Sequence, residues 1–510
     1  MKNPGFRRSL AVFFALCVLA APAVPGRAAA PDDEAKVLEA FHAISSHPLL
    51  EYVQELTSEK YGGRLTGTPG YDASAAWVAG LLEKWGVKPA GDGGTWFQNF
   101  PNPYTLVLPD GEVSLLIPQK NSKDVIRKYF RYEDEFMPGG TSGSGEVTAE
   151  VVYVGYGITA PELGLDEYKG LDVKGRIVLM EPEVPVSPDQ GAELFDKWRP
   201  YSFHQYKLEN AAAHGAAAML YNYGPICNPN NAYREGFIYG HVGRAVVADV
   251  FAGTGRSHDE VLESIRKTLK PASFATGKTF TVRTRTVHHP EGVGRNVVGL
   301  IEGSDPKLKD EVIILGAHID HLGFCWTMMP GANDNATSVA VMLGTAEALA
   351  KCAVRPKRSV LFIGFGAEEQ AVAGSEYYIE HPVVPLDRTI AMINMEAAGS
   401  GDKINALIGK GWGGLWGYLD KANKTYLRRV SETGESAFIA RPRQDVARFL
   451  WKGIPGLTVG SRGFDPGRPT YHNSHDDMSL VTPEIMEDIA KMLFLGILDM
   501  ANEPVLEFRK

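Results

Sequence analysis

Three short apolar runs in the second half of the chain each end on small residues and then on a group that can hold a metal or a proton. Glu311 to Leu315 runs into Gly316-Ala317-His318, Ser359 to Phe365 into Gly366-Ala367-Glu368-Glu369, and Thr389 to Met395 into Glu396. Continuous apolar runs this short predict strands buried on both faces. Between the first two, Val339, Met342, Leu343, Ala346, Leu349 and Ala350 recur at three-and-four spacing, which predicts a helix with one apolar face. This β-α-β alternation predicts an α/β fold: a mixed, largely parallel sheet flanked by helices. The polar residues then fall beyond the carboxyl ends of the strands, where open α/β sheets bind ligands.

The rest of the chain divides by the same patterning. A helical segment is expected around Pro48 to Glu59. Another follows from Tyr71 to Trp85, with Ala75, Val78, Leu82 and Trp85 on one face and Gly86 as its stop. Residues 139–270 read differently. Val151 to Gly157 and Gly175 to Leu179 are strand-like, and Lys207 to His214 reads as a helix leading into Gly215 to Leu220. Gly139 to Gly145, rich in glycine and serine, is expected to be a linker. Near the C-terminus, Thr482 and Pro483 open a helix that carries Ile485, Ile489, Met492 and Leu493 inward. There is no internal repeat and no low-complexity segment.

At the N-terminus, Lys2, Arg7 and Arg8 precede an apolar run from Leu10 to Ala21 and small residues up to Ala30. That is the pattern of a secretory signal peptide cut close to Ala30, so a secreted or periplasmic product is expected. Arg7-Arg8 is too weak a pair for twin-arginine export, and Leu16 before Cys17 fits a lipoprotein signal poorly. The expected organisation is a signal peptide over 1–30, the N-terminal part of the main domain over 31–138, an inserted unit over 139–270, and the rest of the main domain over 285–510.

Composition narrows the function. The 510 residues are 44% hydrophobic and 22% charged, as in ordinary globular proteins. A net charge of -9 argues against nucleic acid. No run in the mature region reaches the ~18 apolar residues of a spanning helix. Cys227, Cys325 and Cys352 remain once Cys17 is removed, so at most one intramolecular disulfide can form.

The candidate chemistry rests on His318, Asp334 in Gly-Ala-Asn-Asp-Asn, Glu369, Glu396, and His472 in Tyr-His-Asn-Ser-His-Asp-Asp. Two imidazoles and three carboxylates suit a pair of zinc ions, each taking one histidine, one terminal carboxylate and a share of a bridging carboxylate. An open position is left for water. Glu368, beside a ligand, is placed to take a proton from it. His321 and His475 compete for the same roles and are the weaker candidates. Cys325 is set aside because thiolate is unusual in carboxylate-bridged sites. His204, His214, His241, His288 and His289 read as structural or surface residues.

The motifs Gly-Ala-His-Ile-Asp-His-Leu-Gly, Pro-Gly-Ala-Asn-Asp-Asn-Ala and Gly-Ala-Glu-Glu-Gln…Gly-Ser occur in this order. The arrangement resembles the co-catalytic zinc exopeptidases, a family that includes bacterial leucyl aminopeptidase and glutamate carboxypeptidase II. The resemblance implies His318, Asp334, Glu369, Glu396 and His472 as ligands of two zinc ions. Asp334 is then the bridge, Glu368 the general base, and Asp320 the carboxylate that fixes the ring of His318. It also implies a cis peptide bond between Asp334 and Asn335. Glu396 stands where most relatives have aspartate, so the backbone must retreat by about a methylene or the binding mode must change.

Gly62 to Thr68 resembles the family's opening segment, and the 139–270 region resembles its inserted protease-associated domain, either a wall that restricts substrates or a spacer. The activity implied is removal of N-terminal residues from peptides. Glutamate-carboxypeptidase-like action is the alternative, with Arg462 and Arg468 as candidate holders of a terminal carboxylate. A third possibility is a non-catalytic binding protein like transferrin receptor, which would have lost ligands or base.

Overall fold

The computed structural model describes residues 31–120, 122–436, 443–462 and 470–509. Residues 1–30, expected to be a signal peptide, and Arg468 lie outside the described residues. The three apolar runs are strands, Val312–His318, Ser359–Phe365 and Thr389–Met395, and they are adjacent and parallel. Val312–His318 is the middle one. Gly456–Arg462 pairs parallel to Thr389–Met395, with Lys403–Ile408 and Ser431–Glu435 beyond it. On the other side Val293–Ile301 runs antiparallel to Ser359–Phe365 and carries Lys88–Pro89 and Phe97–Pro101. The sheet is therefore mixed, parallel at its centre and flanked by helices, as the patterning predicts.

Alternation along each strand feeds two cores. Ile313, Leu315 and Ala317 pack toward helices Ser46–Leu56, Pro69–Lys84, Thr337–Lys351 and Pro483–Asn502. Val312 and Ile314 pack on the opposite face with Tyr378, Ile379, Val446 and Phe449, from helices Ala373–Glu380 and Val446–Trp451. Ile485, Ile489, Met492 and Leu493 of the last long helix are fully buried, each contributing ~1.5–3 kcal/mol of apolar burial. The first-turn proline is in place, but the Thr482 side chain makes no capping hydrogen bond. Among the described residues no helix is long and apolar enough to cross a membrane.

The second unit is wider than the 139–270 interval. The chain leaves the main sheet through Tyr104–Val107 and returns through Thr286–His289, and these two strands pair antiparallel. Between them lies an eight-stranded sheet ordered Val125–Tyr129, Glu112–Pro118, Phe274–Thr284, Gly145–Tyr153, Ile177–Met180, Ala218–Tyr221, Ile238–Val242, Phe136–Pro138. The Gly139 to Gly145 stretch is not a linker. Thr141 and Ser142 are buried; Thr141 Oγ1 lies 2.8 Å from Tyr239 Oη, and the Tyr239 amide donates to Ser142 Oγ at 2.9 Å. Composition marked the turn but could not show that strands on both sides belong to one sheet.

Candidate metal centre

The carboxyl ends of the parallel strands deliver side chains into one cleft. His318 ends its strand, and its Nε2 lies 3.4 Å from both Asp334 Oδ1 and Glu396 Oε1. On the far side of Asp334, His472 Nε2 is 3.5 Å from Asp334 Oδ2 and 3.0 Å from Glu369 Oε2. All five ligand candidates converge, although 138 positions separate Asp334 from His472 in the sequence. Asp334 belongs to both groups of donor atoms that could hold an ion: His318, Asp334 and Glu396 in one, His321, Asp334 and Glu369 in the other.

His321 is thus closer to the centre than its motif suggested. Its Nδ1 is 3.0 Å from Glu369 Oε1, its Nε2 is buried without a hydrogen-bond partner, and its ring meets that of His472 edge-on at 5.9 Å. The His472 ring is oriented from behind, because its Nδ1 lies 2.9 Å from the Cys227 carbonyl oxygen. That contact makes Nδ1 the protonated nitrogen and turns Nε2 to the carboxylates, as expected of a ligating histidine.

Asp320 does two jobs. Its carboxylate lies 3.6 Å from His318 Nδ1, and it accepts the backbone amides of Glu368 at 3.2 Å and Glu369 at 3.3 Å. It therefore ties the first ligand loop to the turn that carries the candidate base. That turn needs a left-handed residue at Ala367, and Arg64, Ala397 and His472 around the site also have positive φ. Non-glycine residues held there cost of order 1 kcal/mol each and cluster where a site fixes the backbone. The Asp334–Asn335 peptide bond is cis.

The Glu396 backbone lies hard against Gly460 of the neighbouring strand, where a Cβ would come within 2.0 Å of the Glu396 carbonyl oxygen. That position therefore has no room for a side chain. Glu396 Oε2 is buried without a hydrogen-bond partner, so the carboxylate keeps capacity for a further ligand.

Two supporting residues escaped the sequence reading. Arg64 is fully buried and donates to the carbonyls of Ile319, Leu56, Pro330 and Gly331 at 2.6–2.8 Å. It pins the His318–Asp320 loop to the Gly331–Asp334 loop from below. Asp476 accepts the amides of Asn333 at 2.8 Å and Asp334 at 2.9 Å, holding the bridge candidate from the other side. The signals were present in Gly-Gly-Arg64-Leu and in His-Asn-Ser-His-Asp476, but no pattern showed that they pointed at the same loop.

The electrostatics are one-sided. Asp320, Asp334, Glu368, Glu369, Glu396 and Asp476 crowd around three imidazoles and one guanidinium. Burial pushes Glu368 well above the usual carboxylate range; His318 opposes the shift, and Glu396, Glu369 and Asp445 add to it. Burial would lower His318, yet Glu396, Asp320 and Asp334 together raise it well above an ordinary imidazole. Burial lifts Asp476 to about 6 and lowers Arg64 to about 10. So many buried acids against one permanent cation are costly unless further positive charge is supplied. The donor set, its orphaned atoms and this surplus all fit a pair of divalent cations.

Comparison with known proteins finds peptidases. Residues 296–495 match the model of Peptidase family M28. An aminopeptidase of Pseudomonas aeruginosa is 27% identical over 442 residues, covering 81% of this chain and 70% of that protein. The fold follows the aminopeptidase from Aneurinibacillus sp. strain AM-1, with a TM-score of 0.63 at 20% identity over 92% of this chain and 98% of that one. It likewise follows BSAP, a zinc aminopeptidase from Bacillus subtilis, with a TM-score of 0.61 at 18% identity over 90% and 95% of the two chains. Residues 296–495 are thus the part of the chain that is similar to Peptidase family M28.

Proposed function

We propose that this protein is a zinc-dependent aminopeptidase that removes N-terminal residues from peptides. The observation that carries the reading is the two-sided convergence on Asp334, with His318 and Glu396 on one side and Glu369 and His472 on the other. These residues would hold two zinc ions with Asp334 between them. When bound, the metals would supply a water of lowered pKa and positive charge against the substrate carbonyl oxygen.

The chain's own residues do the rest. Glu368 takes the proton from that water as it attacks the carbonyl carbon, then gives it to the leaving amine nitrogen. Burial and neighbouring carboxylates raise the proton affinity of Glu368. Asp320 keeps His318 and the Glu368 amide in register. The inserted unit is proposed to be a protease-associated domain that walls the site. The leader before Ala30 is proposed to direct the protein to the periplasm or the medium.

The aminopeptidase reading is preferred over carboxypeptidase action because the long P. aeruginosa match is an aminopeptidase. In addition, Arg462 is exposed at its strand end, opposite Lys403 in register and near Glu432. Survival of the base and of the whole ligand set speaks against a non-catalytic binding protein. Matched peptides, one with a free amine and one N-acetylated, test the proposal. The free-amine peptide should have much the higher kcat/KM. Equal values, or a preference for a free C-terminal carboxylate that disappears in Arg462→Ala, would transfer the assignment to a carboxypeptidase.

A further inference from the structure

We infer that the inserted unit is a working part of the metal centre, with Glu133 and the Cys227–Asn230 loop as positioning residues that hold the ligand loops in place. This rests on the metal-centre reading above and concerns what fixes the ligands. The second unit reaches the ligand loops at three separate points.

The first is the His472 loop. Cys227 holds that residue twice: its amide donates to the His472 carbonyl at 2.9 Å and its carbonyl oxygen lies 2.9 Å from His472 Nδ1. Two residues on, the Ser474 amide donates to Glu133 Oε1 at 2.5 Å. The second is the turn carrying Glu368 and Glu369, where the Ala371 amide donates to Asn230 Oδ1 at 3.1 Å. Asn228 Oδ1 braces that loop by accepting from the amide of Asn230 at 3.0 Å and from its Nδ2 at 2.6 Å. The third is the loop beyond His321. There Tyr132 Oη donates to the Cys325 carbonyl, and the Tyr132 ring stacks on Trp326 at 4.3 Å. Cys227 and Met137 also share one buried apolar cluster with Leu322, Cys325 and Met329.

His472 sits in left-handed backbone with φ 59°, a conformation a free loop would abandon. The Cys227 carbonyl sets which His472 nitrogen faces the ion, the other contacts hold the backbone that carries the ligands, and losing outer supports of a ligand costs ~10–100-fold in metal affinity. A unit that only spaced or shielded the active site would need no contact with ligand-bearing backbone. This one makes such contacts on both sides of the sequence gap between Asp334 and His472.

The test uses the full chain and reads metal binding directly. Zinc release to a chromophoric chelator and the visible spectrum of the cobalt(II)-substituted protein are measured for wild type, Glu133→Ala, Glu133→Gln and Asn230→Ala. Glu133→Ala should weaken one of the two metal sites by ~10–100-fold and shift the cobalt bands. Glu133→Gln should recover most of the loss, because an amide oxygen still accepts from Ser474. Asn230→Ala acts on a second loop and carries the same expectation at smaller amplitude, so a poorly folding Glu133→Ala leaves the idea testable. Wild-type zinc retention and an unchanged cobalt spectrum in the folded variants would overturn the inference. A wild-type protein that binds no zinc would instead overturn the metal-centre reading on which it rests.

Discussion

Both halves of this molecule bury charge, and they do so in opposite ways. In the inserted unit Glu181 accepts from Asn222 Nδ2 at 2.7 Å and from Tyr153 Oη at 3.2 Å, and lies 2.8 Å from His258 Nε2. Nearby, Lys207 donates to the Tyr156 carbonyl and faces Glu167. Burial lifts Glu167 to about 7 and lowers Lys207 to about 8, and their mutual attraction opposes both shifts. The acids there meet neutral donors, a histidine or one lysine, and only Glu167 Oε1 of that group is left without a partner. In the peptidase domain the acids converge on one another, and Glu396 Oε2 and His321 Nε2 are left without partners. Burial of a charged group therefore does not mark a functional site by itself. An unbalanced, convergent set does, because its missing countercharge must come from something bound.

Zinc removal puts the heaviest strain on this contrast. Dialysis against a chelator should abolish hydrolysis and lower the melting temperature, with zinc restoring both. An ion present about 1,000-fold above its Kd stabilises the fold by about 4 kcal/mol. Calorimetry with and without chelator checks it; an unchanged transition would mean the acids are balanced without metal. Glu368→Gln comes next. It should keep both zinc ions and lose ~10²–10⁴-fold in kcat, because the amide keeps the shape but cannot accept the proton. Near-normal turnover at full zinc content would remove Glu368 from the mechanism.

The paired imidazoles beside Glu369 give a finer cut. His472→Ala should lose zinc on dialysis, while His321→Ala, acting through Glu369, should weaken binding by about 10–100-fold. Metal analysis after dialysis decides this, and the reverse order would make His321 the ligand. The smallest effect on catalysis is expected in the other half. Lys207→Met should leave zinc content and kcat/KM unchanged. It should cost about 2–3 kcal/mol of stability by denaturant unfolding, less than a fully ionic buried pair because Glu167 can take up a proton. Lost zinc in Lys207→Met would show that the buried Glu167–Lys207 network also bears on the metal centre, beyond the Glu133 and Cys227–Asn230 contacts.

The central strands were legible because burial on both faces demands continuous apolar runs, and Ser359–Phe365 and Thr389–Met395 fall where the pattern put them. The helix over Thr337–Lys351 was legible from its spacing. The inserted unit was harder to read. Its sheet joins strands from Glu112 to Thr284, and pairing between such distant segments leaves no local periodicity. The strand expected over Val151 to Gly157 ends at Tyr153, where the chain turns away after pairing with Ile177–Met180.

The sequence by itself determined the donors: which imidazoles and carboxylates exist, and that His318, Glu369 and Glu396 each stand at or just beyond the end of a buried strand able to present them. Those facts are local, since side-chain chemistry and hydrophobic period are written in consecutive residues. Only the tertiary structure decided the supports. Arg64 under two loops, Asp476 behind Asp334, His321 against Glu369 and the Cys227 carbonyl on His472 join residues up to 267 positions apart. Most of these contacts run through backbone amides and carbonyls that every residue carries, so they depend on where the chain is folded and leave no signature in which residues it contains.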